Sequence, residues 1–369
     1  MQESAYWLAW SQVSRVGPII LRRLQEYFGT LEVAWHSTEQ DLRQIEGVGK
    51  VLLQAIKTTR SQLNPLEFYE THSIKNPNFW TPADPDYPRL LLEIPSPPPV
   101  LYYQGQPDKQ ENQGLTPLVG IVGTRHPSEY GQRWTSKISA ALTRHGFTVV
   151  SGMAAGIDTT AHRSCLQAGG RTLAVLGTGV DVVYPRSNRQ LYQDIQLQGL
   201  VLSEYPAGTK PEAKHFPPRN RIIAGLCRAV LVMEAAQRSG ALITARYGNE
   251  FGRDVYTLPG SLDNPKSRGC LEWLHQGAEM ILGESEILKM LGTIPQLDSV
   301  ASSPPQSQAK INLEPELAQI FEVITPEGTP FDAIVQQTNL AASSVSSGLL
   351  QLELLDLVTQ LPGMRYCNK

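Results

Sequence analysis

Residues 118–131 read LVGIVGTRHPSEYG, an apolar run that leads into a turn of glycine, hydroxyl and basic residues. Residues 148–162, TVVSGMAAGIDTTAH, repeat this order of an apolar run, a turn of small residues and a helical pattern. Strand-like runs that alternate with helical stretches of ten or more residues are typical of βαβ units. The sequence therefore predicts an α/β fold with an extended Rossmann-like parallel sheet, whose ligands bind at the carboxyl ends of the strands. Six such strands are predicted, at residues 118–122, 148–151, 173–176, 201–204, 230–234 and 255–258.

Residues 1–75, ahead of the predicted sheet, have apolar positions at helical spacing and indicate a small helical domain. Two glycine turns, at residues 16–19 (VGPI) and 45–50 (IEGVGK), are typical of a helix-hairpin-helix or SAM-like module. Such a turn can offer backbone N–H groups to a phosphate, or it can be a tight connection in which glycine supplies the positive φ. Acidic residues flank the second turn, so the structural interpretation is favoured.

The rest of the chain divides into a core, a linker and a second small domain. The core, residues 76–290, begins with a proline-rich connection that carries a short strand at 100–103. Residues 291–312 are polar and contain serines and prolines, which is typical of a linker. Residues 313–369 show three helical patterns and a two-stranded ending, which predict a winged-helix-like domain.

The composition of the 369 residues is that of a soluble globular protein, with 41% hydrophobic and 18% charged residues. The chain has no apolar run long enough to span a bilayer, and its first residues do not resemble a signal peptide. Four cysteines, none in a Cys-x-x-Cys pair, indicate neither a zinc site nor a disulfide framework and fit a cytoplasmic location. Because the net charge is −3, any binding of nucleic acid must come from a local cationic patch.

The turns that follow the predicted strands carry candidate anion ligands. After the first strand, Gly123 and Thr124 allow close backbone approach, and Arg125 offers a fork of donors. The glycine spacing of this first turn is not the Gly-x-Gly-x-x-Gly of dinucleotide-binding folds, which disfavours dinucleotide binding. Small and hydroxyl residues also follow the second and fifth strands. The candidate residues of these two further turns are Ser151, Gly152, Ser239 and Gly240.

Asp158 and His162 lie four residues apart and are expected to share one face of a helix. A metal-binding or general-base role is conceivable for them, but the sequence gives no third ligand. A structural Asp–His pair is therefore favoured over a catalytic one.

The most informative segment is residues 205–221, YPAGTKPEAKHFPPRNR. Four basic residues against one glutamate give it a net charge of +3, and Phe216 lies among the cations. Cations that follow a phosphate backbone, with an aromatic face on which a base stacks, are typical of proteins that bind single strands. The alternative, a solvated loop with a buried phenylalanine, is weakened by the anion-ready turns nearby. The candidate residues are Lys210, Lys214, His215, Phe216, Arg219, Asn220 and Arg221.

The sequence contains none of the common enzyme motifs: no phosphate-binding Walker loop, no Gly-x-Ser-x-Gly elbow and no His-Glu-x-x-His helix. We therefore expect a binding protein without catalytic residues, cofactor or metal.

These residues resemble the DNA-processing protein A family. The resemblance covers about residues 100–285 and is carried by VGTRHPSEYG, SGMAAGIDTTAH, GTGVDVVYP, SEYPAG, HFPPRNRIIAG, VMEAAQRSGALITA and GRDVYTLPG. It implies a Rossmann-like core that binds single-stranded DNA without hydrolysing it, forms a homodimer, protects incoming DNA and helps to load the RecA recombinase in natural transformation.

The resemblance also assigns roles to residues. Arg125 would bind a phosphate, Phe216 would stack against a base, and one of Lys210, Lys214 and His215 would supply a cation beside Phe216. Thr124 stands where family members often have serine or alanine, which leaves the arginine in place.

Two other classes of function compete with this one. Nucleotide phosphoribohydrolases of the lysine-decarboxylase-like type share the broad fold and carry a Pro-Gly-Gly-x-Gly-Thr-x-x-Glu loop. Residues 237–244, QRSGALIT, lack its glycine pair and its glutamate, so this enzyme is the less favoured alternative. A scaffold for protein partners is disfavoured by the cations around the predicted cleft.

Overall fold

The structure, a computed structural model, describes residues 2–292, 315–325, 328–354, 357–361 and 365–368. The chain forms two compact units, Met1–Ser299 and Val300–Lys369. Residues 293–312 of the predicted linker lie outside the described residues. In the ranges that the structure describes, no helix combines the length and the apolar character needed to cross a membrane.

The first unit begins with six helices, of which the first five enclose a core of aliphatic and aromatic side chains. Arg60 packs over two tryptophans of this core: its guanidinium carbon lies 5.3 Å from the ring of Trp10 and 5.8 Å from that of Trp35. Gly17 and Gly49, from the two predicted glycine turns, precede the second and fifth helices. The helices are α1 (Gln2–Ser11), α2 (Pro18–Phe28), α3 (Leu31–His36), α4 (Glu39–Leu42), α5 (Lys50–Gln62) and α6 (Pro65–Lys75).

A nine-stranded sheet forms the centre of the first unit, in the order β1-β2-β6-β5-β4-β3-β7-β8-β9. The strands from β3 onward are parallel, which confirms the predicted fold class, and all six predicted strands are present. The proline-rich connection adds an antiparallel edge of two strands, of which the sequence predicted one, at residues 100–103. The strands are β1 (Phe79–Trp80), β2 (Leu101–Gly105), β3 (Leu118–Gly123), β4 (Thr148–Ser151), β5 (Thr172–Leu176), β6 (Leu200–Ser203), β7 (Ala229–Glu234), β8 (Asp254–Thr257) and β9 (Glu279–Met280).

Helices cover both faces of the sheet because successive strand residues point to opposite sides. Val150 packs into one apolar cluster with residues of α12 (Phe216–Leu226) and α13 (Gly240–Glu250). Val149 packs into another with residues of α9 (Glu129–Arg144) and α10 (Ile157–Gln167). The chain moves outward in opposite directions on either side of β3, which creates a crevice at the carboxyl ends of β3 and β7. The helices of this region are α7 (Arg89–Leu92), α8 (Lys109–Asn112), α9 (Glu129–Arg144), α10 (Ile157–Gln167), α11 (Arg189–Gln198), α12 (Phe216–Leu226), α13 (Gly240–Glu250), α14 (Arg268–His275) and α15 (Glu284–Gly292).

The second unit has the predicted three helices and a small antiparallel sheet in the order β10-β12-β11. Buried aliphatic side chains, among them Ile320, Ile334 and Val345, form its core. The wing residues 362–364 lie outside the described residues. The elements are α16 (Pro315–Glu322), β10 (Thr329–Pro330), α17 (Phe331–Thr338), α18 (Ala342–Leu354), β11 (Val358–Leu361) and β12 (Arg365–Asn368).

Candidate functional site

A cavity of about 620 Å³ opens at the carboxyl ends of the parallel strands. Its walls come from the segments that follow β3, β4, β5, β6 and β7, as expected for ligand sites in open α/β sheets. The residues that line it are Val122, Gly123, Thr124, Arg125, Ala154, Asp158, Tyr184, Pro211, Ala213, Phe216, Pro217, Arg219, Asn220, Ile223, Ala236, Ser239, Gly240, Ala241, Ile243 and Thr244.

The turn after β3 is held rigidly from behind by Glu234 at the end of β7. The Thr124 N–H donates to the backbone carbonyl of Glu234 at 2.7 Å, and the Ser128 N–H donates to its carboxylate at 2.8 Å. Gly123 is required here, because a Cβ at this position would lie 2.5 Å from the side chain of Ile157. The turn therefore presents the exposed Arg125 at the cavity from a fixed backbone.

An aromatic corner forms the opposite wall of the cavity. Phe216 is the first residue of α12 and is half-buried, and its ring centroid lies 5.5 Å from that of Tyr184. The guanidinium carbons of Arg125 and Arg219 lie 5.9 Å and 6.0 Å from the Phe216 ring. The cavity thus combines an aromatic face with two cations, of which Arg125 is exposed and Arg219 is buried. Tyr184 is not among the site residues predicted from the sequence. Its position as an aromatic residue in the segment after a strand could have indicated it.

The floor of the cavity carries Asp158 and Arg219, which are both buried. Asp158 accepts the N–H groups of Gly152 at 3.1 Å and Ala154 at 3.3 Å. Burial raises the pKa of the Asp158 carboxyl to about 6, although Arg219 and the backbone N–H donors oppose this rise. Burial likewise lowers the pKa of Arg219 to about 10, which leaves its guanidinium charged at neutral pH.

The predicted structural pair of Asp158 and His162 does not form. His162 is fully buried one turn further along α10, and its Nδ1 lies 2.7 Å from Thr172 Oγ1, while Asp158 bonds to backbone N–H groups. Burial lowers the pKa of His162 to about 3, so its ring is neutral at physiological pH. Both residues are buried in α10, but each has its own partners.

Eight of the predicted site residues line the cavity, and two more lie directly beneath it. Ser151 donates its hydroxyl to the carbonyl of Ile121 at 2.6 Å, and Gly152 bonds to Asp158 and Arg219. These two therefore support the floor and do not face a ligand. The eight lining residues are Gly123, Thr124, Arg125, Phe216, Arg219, Asn220, Ser239 and Gly240.

Four predicted residues of the cationic segment lie away from the cavity wall. Lys210 and Lys214 are exposed beside the cavity, and Lys214 pairs with Glu212 at 2.8 Å. His215 is buried against Tyr205, with ring centroids 4.2 Å apart. Arg221 forms a buried ion pair with Glu204 at 2.5 Å, so the prediction that it faces the ligand is wrong: its charge is already neutralised inside the fold.

Within the described part of the chain, no group of three or more histidine, cysteine, aspartate or glutamate side chains is arranged to hold a metal ion.

Two family models match the chain: "DNA recombination-mediator protein A" over residues 78–292 and "DprA winged helix domain" over residues 304–364. The chain is 54% identical to the protein Smf of Synechocystis sp. over 99% of its own length and 98% of that protein. It is similar to the X-ray structure of DNA processing protein A (DprA) from Streptococcus pneumoniae, with a TM-score of 0.68, 35% identity and coverage of 77% of this chain and 97% of that one.

A second similar structure is that of DNA processing protein A from Helicobacter pylori, described for its single-stranded DNA binding mode. Its TM-score is 0.52 and its identity is 29%, over 58% of this chain and 95% of that one.

Proposed function

Since the chain belongs to the DNA-processing protein A (Smf) family, we propose that its cavity binds single-stranded DNA, without a cofactor and without hydrolysing the strand. The observation that carries this proposal is the ring of Phe216 at the cavity wall with Arg125 and Arg219 beside it. Bases offer their faces for stacking only when they are unpaired, and cations beside the ring attract the phosphates. The Helicobacter pylori relative is described as a binder of the same ligand.

Each wall of the cavity has a part in this binding. Arg125 contacts a phosphate, supported by the backbone of the turn after β3 and by the start of α13, where Ser239 accepts the N–H of Ala241 at 3.3 Å. The exposed Lys210 and Lys214 extend the positive surface beyond the cavity along the strand. Binding is therefore driven by stacking inside the cavity and by counterion release at its rim.

A titration with single-stranded and duplex DNA of equal length tests the proposal, with nucleotide hydrolysis measured on the same samples. We expect selective binding of the single strand in the absence of any nucleotide, because a duplex hides its base faces. Equal affinity for both forms, or a strict requirement for ATP, would overturn the proposal.

The wider role that we propose follows the family. The protein protects incoming single strands in the cytoplasm and helps to load the RecA recombinase onto them in natural transformation. The free thiol state of all four cysteines fits a reducing compartment. The loading step is tested by the rate of RecA-dependent ATP hydrolysis on single-stranded DNA, measured with and without this protein. If the protein does not increase this rate, the loading role is contradicted.

We also propose a homodimer that joins the β9 edges of two sheets. In the described residues β9 pairs only with β8, and exposed apolar side chains surround it: Met280 is 41% exposed and Leu282 is 69% exposed. Leu282→Glu should convert the dimer to a monomer in light scattering. The control is Ile74→Glu, which changes an 84% exposed side chain on α6 and should leave the mass unchanged.

A nucleotide hydrolase is the second candidate, and Asp158 is the observation that favours it. A carboxyl group in a cavity with a pKa near 6 has the properties of a general base. The segment Gln237–Thr244 lacks the glycine pair and the glutamate that such an enzyme would use at this turn. Hydrolysis of a nucleoside monophosphate by the parent protein, lost in Asp158→Asn, would support the enzyme over the binding protein.

A further inference from the structure

The floor of the cavity contains a charge that a phosphate site does not need. Asp158 is the only acidic side chain among the residues that line the cavity, and it is 6% exposed. A carboxylate repels a phosphate, so the phosphate of a bound strand lies on the Arg125 side of the cavity. The two backbone N–H donors to Asp158 both end on Oδ2, and the Ser151 hydroxyl also interacts with the carboxylate, so Oδ1 is the oxygen that no backbone donor occupies.

Arg219 supplies a donor next to this acceptor. Its Nη1 donates to the carbonyls of Gly152 and Val175, and its Nε donates to Asn220 Oδ1 at 3.2 Å. Among the described residues, its Nη2 has no hydrogen-bond acceptor, although the side chain is 6% exposed and lines the cavity. This nitrogen is therefore a donor that a molecule in the cavity can use.

The two side chains are fixed relative to each other through Gly152. Its N–H donates to Asp158, and its carbonyl accepts from Arg219 at 2.8 Å. A Cβ at this position would lie 2.7 Å from Arg219 Nη2, which explains the glycine. The floor therefore presents an acceptor and a donor in a preorganised arrangement, beside the ring on which a base stacks.

On the basis of the proposed function, we infer that Asp158 and Arg219 read the Watson–Crick edge of one unpaired base stacked on Phe216, and that they prefer guanine. Guanine carries two adjacent N–H donors beside the carbonyl O6, so Asp158 Oδ1 can accept from N1–H, the 2-amino group also faces the carboxylate, and a guanidinium donates to O6. Thymine carries one N–H between two carbonyl oxygens, and the second carbonyl faces the carboxylate. Asp158 is thus a specificity-determining residue, and Arg125 remains the residue that binds phosphate.

Short thymidine strands of about eight nucleotides, each with one central test base, measure this preference by competition. We expect the guanine strand to bind about tenfold more tightly than the all-thymine strand, within the usual range for a good base contact. A strand with 2-aminopurine, which stacks but lacks N1–H and O6, should bind the parent protein like the all-thymine strand.

Asp158→Asn should bring the guanine and thymine strands close to equal affinity while binding of the all-thymine strand persists. Asp254→Asn, at the exposed start of β8, is the matched control and should keep the preference. Equal affinities for guanine and thymine in the parent protein, or a preference that survives in Asp158→Asn, would overturn the inference.

If Asp158→Asn does not fold, the 2-aminopurine comparison on the parent protein decides the matter: tight binding of that strand would overturn the inference. Failure of the parent protein to bind the all-thymine strand would instead contradict the proposed function itself.

Discussion

Arg125 and Phe216 lie within 6 Å of each other at the cavity wall, yet they bind a strand through different forces. Arg125 attracts a phosphate and releases a counterion, so its contribution depends on salt. Phe216 contributes stacking, which is largely independent of salt. The two residues can therefore be separated by measuring affinity as a function of ionic strength.

Arg125→Ala should weaken single-strand binding and reduce the slope of log affinity against log salt by about 0.7, the value of one phosphate contact. Phe216→Ala should cost roughly 1–3 kcal/mol at every salt concentration and leave the slope unchanged. Arg133→Ala, an exposed arginine on α9 outside the cavity, is the control. If both cavity variants bind like the parent protein, the cavity is not the DNA site.

His162 makes the stability of the fold sensitive to acid. Its pKa is lowered to about 3 by burial, whereas the unfolded chain has a histidine pKa near 6.5. Between pH 6.5 and pH 3 the unfolded state therefore binds a proton that the folded state does not. The free energy of unfolding is highest above pH 6.5 and falls as the pH is lowered toward 3. Asp158 acts in the opposite direction: its raised pKa gives stability at low pH that declines as the pH rises toward 6.

Between pH 7 and pH 5 the histidine contribution should amount to about 2 kcal/mol. His162→Gln should remove this part of the pH dependence, although it lowers the stability at pH 7. Urea unfolding of both proteins at the two pH values measures the difference. Equal losses in parent and variant would show that the imidazole is protonated in the folded protein.

At the scale of elements, the turn between β3 and α9 depends on one strand end. Glu234 accepts from the Ser128 N–H and from the Asn264 side chain, each at 2.8 Å, and its backbone carbonyl holds Thr124. Both carboxylate oxygens act as acceptors. A glutamine at position 234 would place its own NH₂ group against the Ser128 N–H or the Asn264 NH₂ group, so one of the two hydrogen bonds would be lost.

Glu234→Gln should therefore destabilise the protein by about 1–3 kcal/mol, the cost of a lost buried hydrogen bond to a charged group. Because Arg125 then projects from a looser turn, single-strand affinity should also fall several-fold. Glu250→Gln, on the exposed end of α13, is the matched control for both thermal melting and affinity. A variant that melts and binds like this control would contradict the positioning role of Glu234.

At the scale of the whole molecule, the sequence predicted the features that depend on residues close together in the chain, namely the parallel strands and the turns that follow them. Apolar runs, turns of small residues and the cationic segment are visible in the sequence itself, so Gly123, Arg125 and Phe216 could be assigned to the site without a structure. Arg221 could not be assigned correctly, because the residue that neutralises it, Glu204, comes close only when β6 and α12 pack together. The contact of Tyr184 with Phe216 and the antiparallel edge of the sheet are likewise products of tertiary packing.

The C-terminal unit has the form of a winged helix, but its charges do not suit DNA. Residues 343–356, which include most of α18, contain no lysine or arginine, and residues 313–369 carry a net charge of −5. A recognition helix normally sets basic or amide side chains against base edges, with cations on the phosphates. We therefore expect this unit to contact protein, within the dimer or on another partner.

Removal of residues 300–369 tests this expectation, because residues 1–299 form a compact unit with cores of their own. Single-strand affinity should change by less than about tenfold, since a unit of this charge repels the phosphate backbone and contributes little to it. The thermal melting of the remaining unit, compared with that of the full chain, shows whether it is still folded. A larger loss of affinity with the core intact would mean that the wing contacts the strand, most directly through Arg365, the basic residue of β12.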